Sequence, residues 1–168
     1  LYPEMARQIV QRGHALGNEG FSHTRLLPLL SPSSLKRETE LGSQAIYGAT
    51  GATSNLFRPP SGYKTPWMLE ELRQKGYLVV MWDVSPYTWA PLKTSSFNMS
   101  NLEKAKPGSI VLLRAARDKA GWETESNLPQ IIEALQDRGY RLVTVPQLLA
   151  SGQGIALPDG IQPQIESK

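Results

Sequence analysis

The chain has 168 residues, of which 40% are hydrophobic and 20% charged, a balance typical of one globular domain and not of a fibrous or disordered chain. It has no cysteine, which excludes a disulfide framework, a thiolate metal site and a cysteine nucleophile. The net charge of +3 comes from scattered lysines and arginines, so nothing favours nucleic acid as a partner. No apolar run of about 18 residues is present and the first residues lack a signal-peptide pattern, so we expect no membrane insertion.

Two helices are predicted in the first 51 residues. Apolar residues recur at helical spacing in "EMARQIVQRG", and Gly13 is a typical helix end. In "SPSSLKRETELGSQAIYGATG", Ser33 or Ser34 can cap a second helix, which ends at Gly48 or Gly51.

Strands and helices then alternate along the chain. "NLFRPPSGY" predicts a strand that ends in a Pro-Pro-Ser-Gly turn, and "TPWMLEELRQKGY" predicts a helix with Pro66 in its first turn. "LVVMWDV" and "KPGSIVLLR" are apolar strands, and "NLPQIIEALQDRGYRLVTVPQLLASG" predicts a helix, the strand "YRLVTV" and a last helix. This order predicts a mostly parallel α/β sheet whose functional loops follow the strands, after Phe57, residues 82–84 and Leu113.

The sequence predicts one domain over residues 1–152. Residues 153–168, from "QGIALPDG" onward, contain turn-forming residues and no period, so we expect an extended C-terminal tail.

Four ordered segments carry a family resemblance: "GHALGNEGFSHTRL", "FRPPSGY", "VMWDVSPYTW" and "PGSIVLLR". They resemble the successive motifs of the polysaccharide deacetylases, the NodB-homology domains of carbohydrate esterase family four. The resemblance spans residues 1–152 and implies a distorted, incomplete β/α barrel. The strands that open this family, one of which carries a paired-Asp motif, are not found in these 168 residues.

The resemblance also implies a chemistry, which is hydrolysis of the N-acetyl amide on an N-acetylglucosamine polymer. In that family a divalent metal, held by two histidines and an aspartate, polarises the carbonyl and activates a water. An aspartate acts as general base and a histidine protonates the leaving amine. The resemblance therefore implies peptidoglycan or another N-acetylglucosamine polysaccharide as partner, and a place in the cell envelope or outside the cell.

The metal motif is altered in this sequence. "GNEGFSH" places Glu19 where the family has its first histidine ligand and retains His23 at the second. Glutamate can bind zinc, but its added negative charge weakens the activation of a metal-bound water. We expect no tightly bound cofactor, and zinc or another divalent metal only if the site survives. Alternatively His23 is a buried, hydrogen-bonded histidine, and His14 is expected in a hydrogen-bonded turn.

The catalytic motifs are altered as well. By the resemblance, Arg114 replaces the acid histidine and Thr88 replaces its partner aspartate. Arginine does not release its proton at accessible pH, so it cannot act as a general acid. Because an unpaired charge loses hydration at a strand end, we expect Arg114 to meet a carboxylate of Glu19, Asp83 or Asp118.

By the resemblance, Arg58, the "RPP" turn and Trp89 of the groove are retained, whereas Ser61 replaces a tyrosine. In the family, the counterpart of Arg58 pairs with the base, that of Trp89 forms an apolar wall, and a tyrosine at the position of Ser61 supplies a backbone oxyanion donor. The alternative for Arg58 and Trp89 is plain packing of loops against the sheet. The candidate substrate-binding residues are Pro59, Pro60, Ser61 and Trp89.

Three hypotheses follow for the function. The favoured one is a catalytically degenerate domain that retains a glycan groove. The second is an active, metal-dependent N-deacetylase with divergent ligands, and the third is a non-enzymatic scaffold or interaction module.

Overall fold

The structure, a computed structural model, describes residues 2–90, 93–115 and 119–152. Its helices and strands follow in the order α1 (Pro3–Gln11), α2 (Pro32–Thr50), β1 (Leu56–Phe57), α3 (Pro66–Gln74), β2 (Leu78–Val79), β3 (Tyr87–Ala90), β4 (Lys93–Phe97), α4 (Lys119–Asp137) and α5 (Val145–Ala150). None of the described helices is long and apolar enough to cross a membrane. The described residues divide between Met81 and Trp82 into two compact units.

The first unit contains a small parallel sheet with helices packed on it. β1 pairs in parallel with β2, and Asn18 forms a parallel bridge to Phe57 of β1. The core of this unit consists of buried apolar side chains from the helices and β1: Leu27, Leu35, Phe57, Met68 and Leu72. The parallel pairing matches the sheet type predicted from the sequence, and the segment at Asn18 joins it as a third neighbour.

The predicted cap of α2 is wrong by two or three residues. Ser31 is the N-cap, and its side chain accepts a hydrogen bond from the backbone N–H of Ser34. Pro32 then occupies the first helical position, where its missing N–H costs no hydrogen bond. The helix ends at Gly51 in the left-handed conformation, one of the two predicted ends, with φ of 73°.

The second unit contains an antiparallel hairpin that the sequence did not indicate. β3 pairs with β4, and the predicted strands "LVVMWDV" and "KPGSIVLLR" form a parallel bridge between Val84 and Val111 within this unit. Its core joins this bridge to α4 through Val84, Leu102, Ala105, Ile131 and Leu135.

Two further predictions in the second unit are corrected. α4 begins at Lys119, well before the predicted segment, and contains Pro129 in its interior. The predicted strand "YRLVTV" is wrong because residues 140–144 pair with no described strand, and both Leu142 and Val143 are exposed. Thr144 instead caps α5 in a capping box with Gln147.

Candidate functional site

The loop at residues 18–23 begins with a buried asparagine. The Asn18 N–H donates to Leu56 O at 2.8 Å, and Asn18 O accepts from the Arg58 N–H at 2.8 Å, so backbone bonds join the loop to β1. The Asn18 amide nitrogen donates to Thr39 O at 2.8 Å and to Ser43 Oγ at 3.0 Å. Only 1% of Asn18 is exposed, and the loop therefore starts from a fully buried polar contact with α2.

Gly42 allows α2 to approach this asparagine. A Cβ atom at Gly42 would lie 2.4 Å from Asn18 Oδ1, a separation that real Cβ contacts do not show. The Tyr77 hydroxyl completes the arrangement with a 2.8 Å hydrogen bond to Ser43 Oγ. We call this group the anchor cluster, and it consists of Asn18, Thr39, Gly42, Ser43 and Tyr77.

Three further hydrogen bonds shape the loop beyond Asn18. The Gly20 N–H donates to Asn18 Oδ1 at 2.8 Å, and Gly20 has φ of 81°, which glycine adopts readily. The Ser22 N–H and hydroxyl both donate to Glu38 Oε2, at 2.8 Å and 3.0 Å. Glu38 of α2 is therefore a second point at which the helix holds the loop.

The two candidate metal ligands contact each other. His23 Nε2 lies 3.4 Å from Glu19 Oε1, and the side chains of His23 and Glu19 are 58% and 43% exposed. The alternative of a buried histidine at position 23 is wrong. His23 also has φ of 53°, in the left-handed region that residues other than glycine seldom adopt. We call Glu19 and His23 the exposed pair.

The other histidine lies outside this contact. His14 is exposed, and its backbone N–H donates to Ile9 O at 3.2 Å in the turn that follows α1. The structure thus places His14 in the hydrogen-bonded turn predicted for it.

The described residues do not fit a metal ion of the kind the resemblance implies. Such a site needs at least three protein ligands with nitrogen or oxygen donors. Within residues 2–90, 93–115 and 119–152, no group of three or more His, Asp and Glu side chains is placed to hold one. The exposed pair supplies two donors, and no metal-dependent step is derived from them.

The "RPPS" turn directly follows β1 and lies next to the loop. Pro59 and Pro60 are fully buried, whereas Arg58 and Ser61 are partly buried. Ser61 has φ of 56° and ψ of 12°, and the Gly62 N–H closes the turn on Pro59 O at 2.8 Å. Because Asn18 and Phe57 are parallel neighbours, the loop and this turn leave the same edge of the sheet.

The remaining candidates belong to the second unit. The backbone of Thr88 and Trp89 lies in β3, and their side chains lie outside the described residues. Arg114 is partly buried, three residues after the bridge at Val111. The roles assigned to these three residues stay predictions.

Of the three carboxylates proposed to meet Arg114, Asp83 is the one described within the same unit. Its two oxygens accept from Ser109 Oγ and from the Ile110 N–H, both at 2.7 Å. Asp118 lies outside the described residues, and Glu19 belongs to the other unit. The carboxylate partner of Arg114 stays a prediction.

Comparison with known proteins decides the family. The model of the family described as "Polysaccharide deacetylase" matches residues 1–80. A peptidoglycan-N-acetylglucosamine deacetylase of Bacillus cereus is 31% identical over 151 residues, which cover 88% of this chain and 68% of that protein. The chain belongs to the polysaccharide deacetylase family. The resemblance found in the sequence is thereby confirmed.

Other polysaccharide deacetylases match the chain over a similar span. A chitooligosaccharide deacetylase of Bradyrhizobium sp. is 31% identical, with 87% of this chain and 71% of that protein covered. The peptidoglycan-N-acetylmuramic acid deacetylase PdaA of Bacillus subtilis is 28% identical, and the match covers 88% of this chain but only 56% of that protein. The chain therefore spans between 56% and 71% of the length of these three relatives.

Solved structures confirm the predicted fold class. A deacetylase called T48, solved with substrate, has a TM-score of 0.72 at 30% identity, with 89% of this chain and 71% of that chain covered. A family 4 acetyl xylan esterase from Clostridium thermocellum in complex with a cobalt ion (TM-score 0.75, 23% identity) and a family 4 pseudoenzyme from Bacillus anthracis (TM-score 0.72, 21% identity) share the fold. The mixed α/β fold of this family is thus common to enzymes and to a pseudoenzyme.

The sequence did not single out two residues that shape the site, Asn18 and Glu38. Gly42 was an indirect signal for Asn18. Glycine is unfavourable inside a helix such as α2, so its presence indicates that another group approaches the helix closely at that point. Glu38 gave no such signal, because charged residues on an amphipathic helix are common.

Proposed function

We propose that this polysaccharide deacetylase domain binds N-acetylated glycans of the cell envelope and does not deacetylate them at the rate of an enzyme. One observation supports the second half of this proposal most. By the resemblance, Glu19 stands at the position of the family's first histidine ligand, and its carboxylate lies 3.4 Å from His23 Nε2.

The altered catalytic motifs support the same proposal. The family motifs place Arg114 at the position of the acid and Thr88 at that of its partner. A guanidinium keeps its proton at accessible pH, so an amine leaving group would find no donor in it. Loss of general acid catalysis alone lowers a rate by about 10²–10⁴-fold.

The class of ligand is supported by the relatives. Those at 31% identity are named as deacetylases of peptidoglycan N-acetylglucosamine and of chitooligosaccharides, both of which contain N-acetylglucosamine. Such polymers lie outside the cytoplasmic membrane, so we propose that the domain functions in the cell envelope or outside the cell.

Glycan binding is tested by calorimetric titration with N-acetylglucosamine oligomers, with glucosamine oligomers of equal length as the matched ligand control. We expect binding of the acetylated series and weaker binding of the control. Trp89→Ala should weaken binding about tenfold, because an aromatic wall contributes at least one contact of about 1 kcal/mol beyond its buried area. Trp122→Ala is the matched variant, since Trp122 is 68% exposed on α4 and has no role in the proposed groove.

A second candidate function is an active N-deacetylase, which the names of these relatives favour. The two candidates differ in turnover and not in ligand class. If the domain is an enzyme, acetate accumulates with these oligomers in the presence of zinc or cobalt. Equal affinity for both oligomer series, with no effect of Trp89→Ala, would instead favour a scaffold without a glycan groove.

A further inference from the structure

The loop that carries the exposed pair is tied to α2 by one side chain outside the anchor cluster. Glu38 Oε2 accepts both the N–H and the hydroxyl of Ser22, at 2.8 Å and 3.0 Å. The same oxygen would lie 3.4 Å from a Cβ at Gly20, so the carboxylate also rests against the loop backbone. Ser22 directly precedes His23, and Glu38 therefore fixes the peptide from which the His23 side chain departs.

This loop needs an external support because its backbone is not in a relaxed conformation. Gly20 has φ of 81°, which suits glycine, but His23 has φ of 53° and carries a full side chain. Residues in this region persist only where surrounding contacts over-determine them. Before His23 the two Ser22 bonds link the loop to Glu38 of α2, whereas after it the described bonds that Thr24 accepts are local, from the Leu26 N–H and the Leu27 N–H, both at 3.2 Å.

We propose that Glu38 is the positioning residue of the exposed pair, which holds Ser22 so that His23 reaches Glu19. If the domain binds a glycan as proposed, Glu38 also sets how the exposed pair is presented to that glycan. Only this consequence rests on the proposed function. When Glu38 is lost, the loop relaxes at His23 and the 3.4 Å contact between His23 Nε2 and Glu19 Oε1 opens.

The two histidines of the chain provide a readout within one molecule. His23 lies in the supported loop, whereas His14 is exposed in the turn after α1. Their imidazole resonances are recorded by NMR at neutral pH, without metal or glycan. Glu19→Ala defines the His23 resonance in the absence of the contact with residue 19, and His14 reports any general loss of structure.

Four variants separate hydrogen bonding from charge. Glu38→Ala removes the acceptor, Glu38→Gln removes the charge but keeps an oxygen acceptor, and Ser22→Ala removes only the hydroxyl donor. Glu40→Ala is the matched control, because Glu40 lies on the same helix and pairs with Lys36 at 3.7 Å, away from Ser22.

We expect Glu38→Ala to move the His23 resonance to its position in Glu19→Ala, with His14 unchanged. Glu38→Gln and Ser22→Ala should stay nearer the wild type, and Glu40→Ala should match it.

An unchanged His23 resonance in Glu38→Ala would overturn the positioning role. Equal shifts in Glu38→Ala and Glu38→Gln would also overturn it, because charge and not hydrogen bonding would then be responsible. If the domain binds no glycan, the proposed function fails, while the resonances still decide the role of Glu38.

Discussion

The two faces of one loop contrast sharply, although Asn18 and Glu19 are adjacent in the chain. Asn18 is 1% exposed and its side chain hydrogen-bonds to two groups on α2, whereas the Glu19 side chain is 43% exposed and its described ion pair is with His23, whose side chain is 58% exposed. Buried polar groups are costly to leave unpaired, but exposed ones are satisfied by water. The side chains of the anchor cluster are therefore held by buried hydrogen bonds, whereas those of the exposed pair face water, which allows the chemistry of the site to change without loss of the scaffold.

Asn18→Ala should have the largest effect on stability. The substitution removes the donors to Thr39 O and Ser43 Oγ and the acceptor of the Gly20 N–H. Because these partners stay buried or partly buried, we expect the free energy of unfolding to fall by about 3 kcal/mol. Urea unfolding followed by circular dichroism measures it. A loss below about 1 kcal/mol would mean that water replaces the amide freely and that the anchor cluster does not anchor the loop.

Gly42→Ala tests the same cluster from the helix side. Its Cβ would meet Asn18 Oδ1 at 2.4 Å, so overpacking should outweigh the gain in helix propensity and cost about 2 kcal/mol net. Gly48→Ala is the matched control, since a Cβ there meets nothing within 4 Å, and it should stabilise α2 by up to about 1 kcal/mol. In an Asn18→Ala background, Gly42→Ala should lose most of its cost. Equal effects of the two glycine substitutions in the wild type would contradict the close approach.

His23→Gly probes the exposed pair. Unlike Asn18→Ala and Gly42→Ala, it should increase the stability of the domain. Glycine adopts a φ of 53° without the steric cost that histidine carries, so we expect a gain of about 0.5–1 kcal/mol in the free energy of unfolding. His14→Gly is the comparison, because His14 has no positive φ. If His23→Gly destabilises the domain by more than about 1 kcal/mol, the exposed pair is part of the scaffold and the contrast between the two faces fails.

The smallest effect is expected at an ion pair on α3 that serves as a reference for exposed charges. Hydrogen bonds from Arg73 and then Gln74 lower the pKa of Glu70 from 4.5 to about 2. A lowered folded pKa adds stability that is present above pH 4.5 and is lost as the pH falls from 4.5 to about 2. Because the pair is fully exposed, Glu70→Gln should shift the urea midpoint only slightly, and less at high salt. An NMR titration that places the Glu70 carboxyl at its ordinary pKa would contradict the pairing.

Much of the fold could be predicted because local signals and tertiary structure agree. Pro66 begins α3, Gly51 ends α2, and the parallel pairing of β1 and β2 follows from apolar strands separated by a helix. The hairpin of β3 and β4 was missed because "YTWA" and "KTSSF" lack both apolar alternation and a typical turn dipeptide. The segment "YRLVTV" has strand composition, but a strand needs a neighbour to pair with, which composition does not show.

The sequence predicted only part of the site, because it shows the spacing of motifs but not the contacts between residues that are distant in the chain. The motif spacing pointed to Glu19 and His23, and the structure brings them into contact. The support from Glu38 links residues 16 positions apart through one carboxylate, and no local pattern encodes such a contact. The sequence thus pointed to the two residues that are in contact, whereas the residue that holds their loop was found from the structure.

Acetate release is the measurement that tests the central claim most directly. The purified chain is incubated with N-acetylglucosamine oligomers or peptidoglycan, with and without added zinc or cobalt, and acetate is quantified against a control without protein. Since Arg114 supplies no general acid and the exposed pair provides two metal donors, we expect no release above the control, and none from the double variant Arg114→His with Thr88→Asp. Sustained acetate release by the unmodified chain would contradict the account and show that this loop has kept its catalytic function as well as its scaffold.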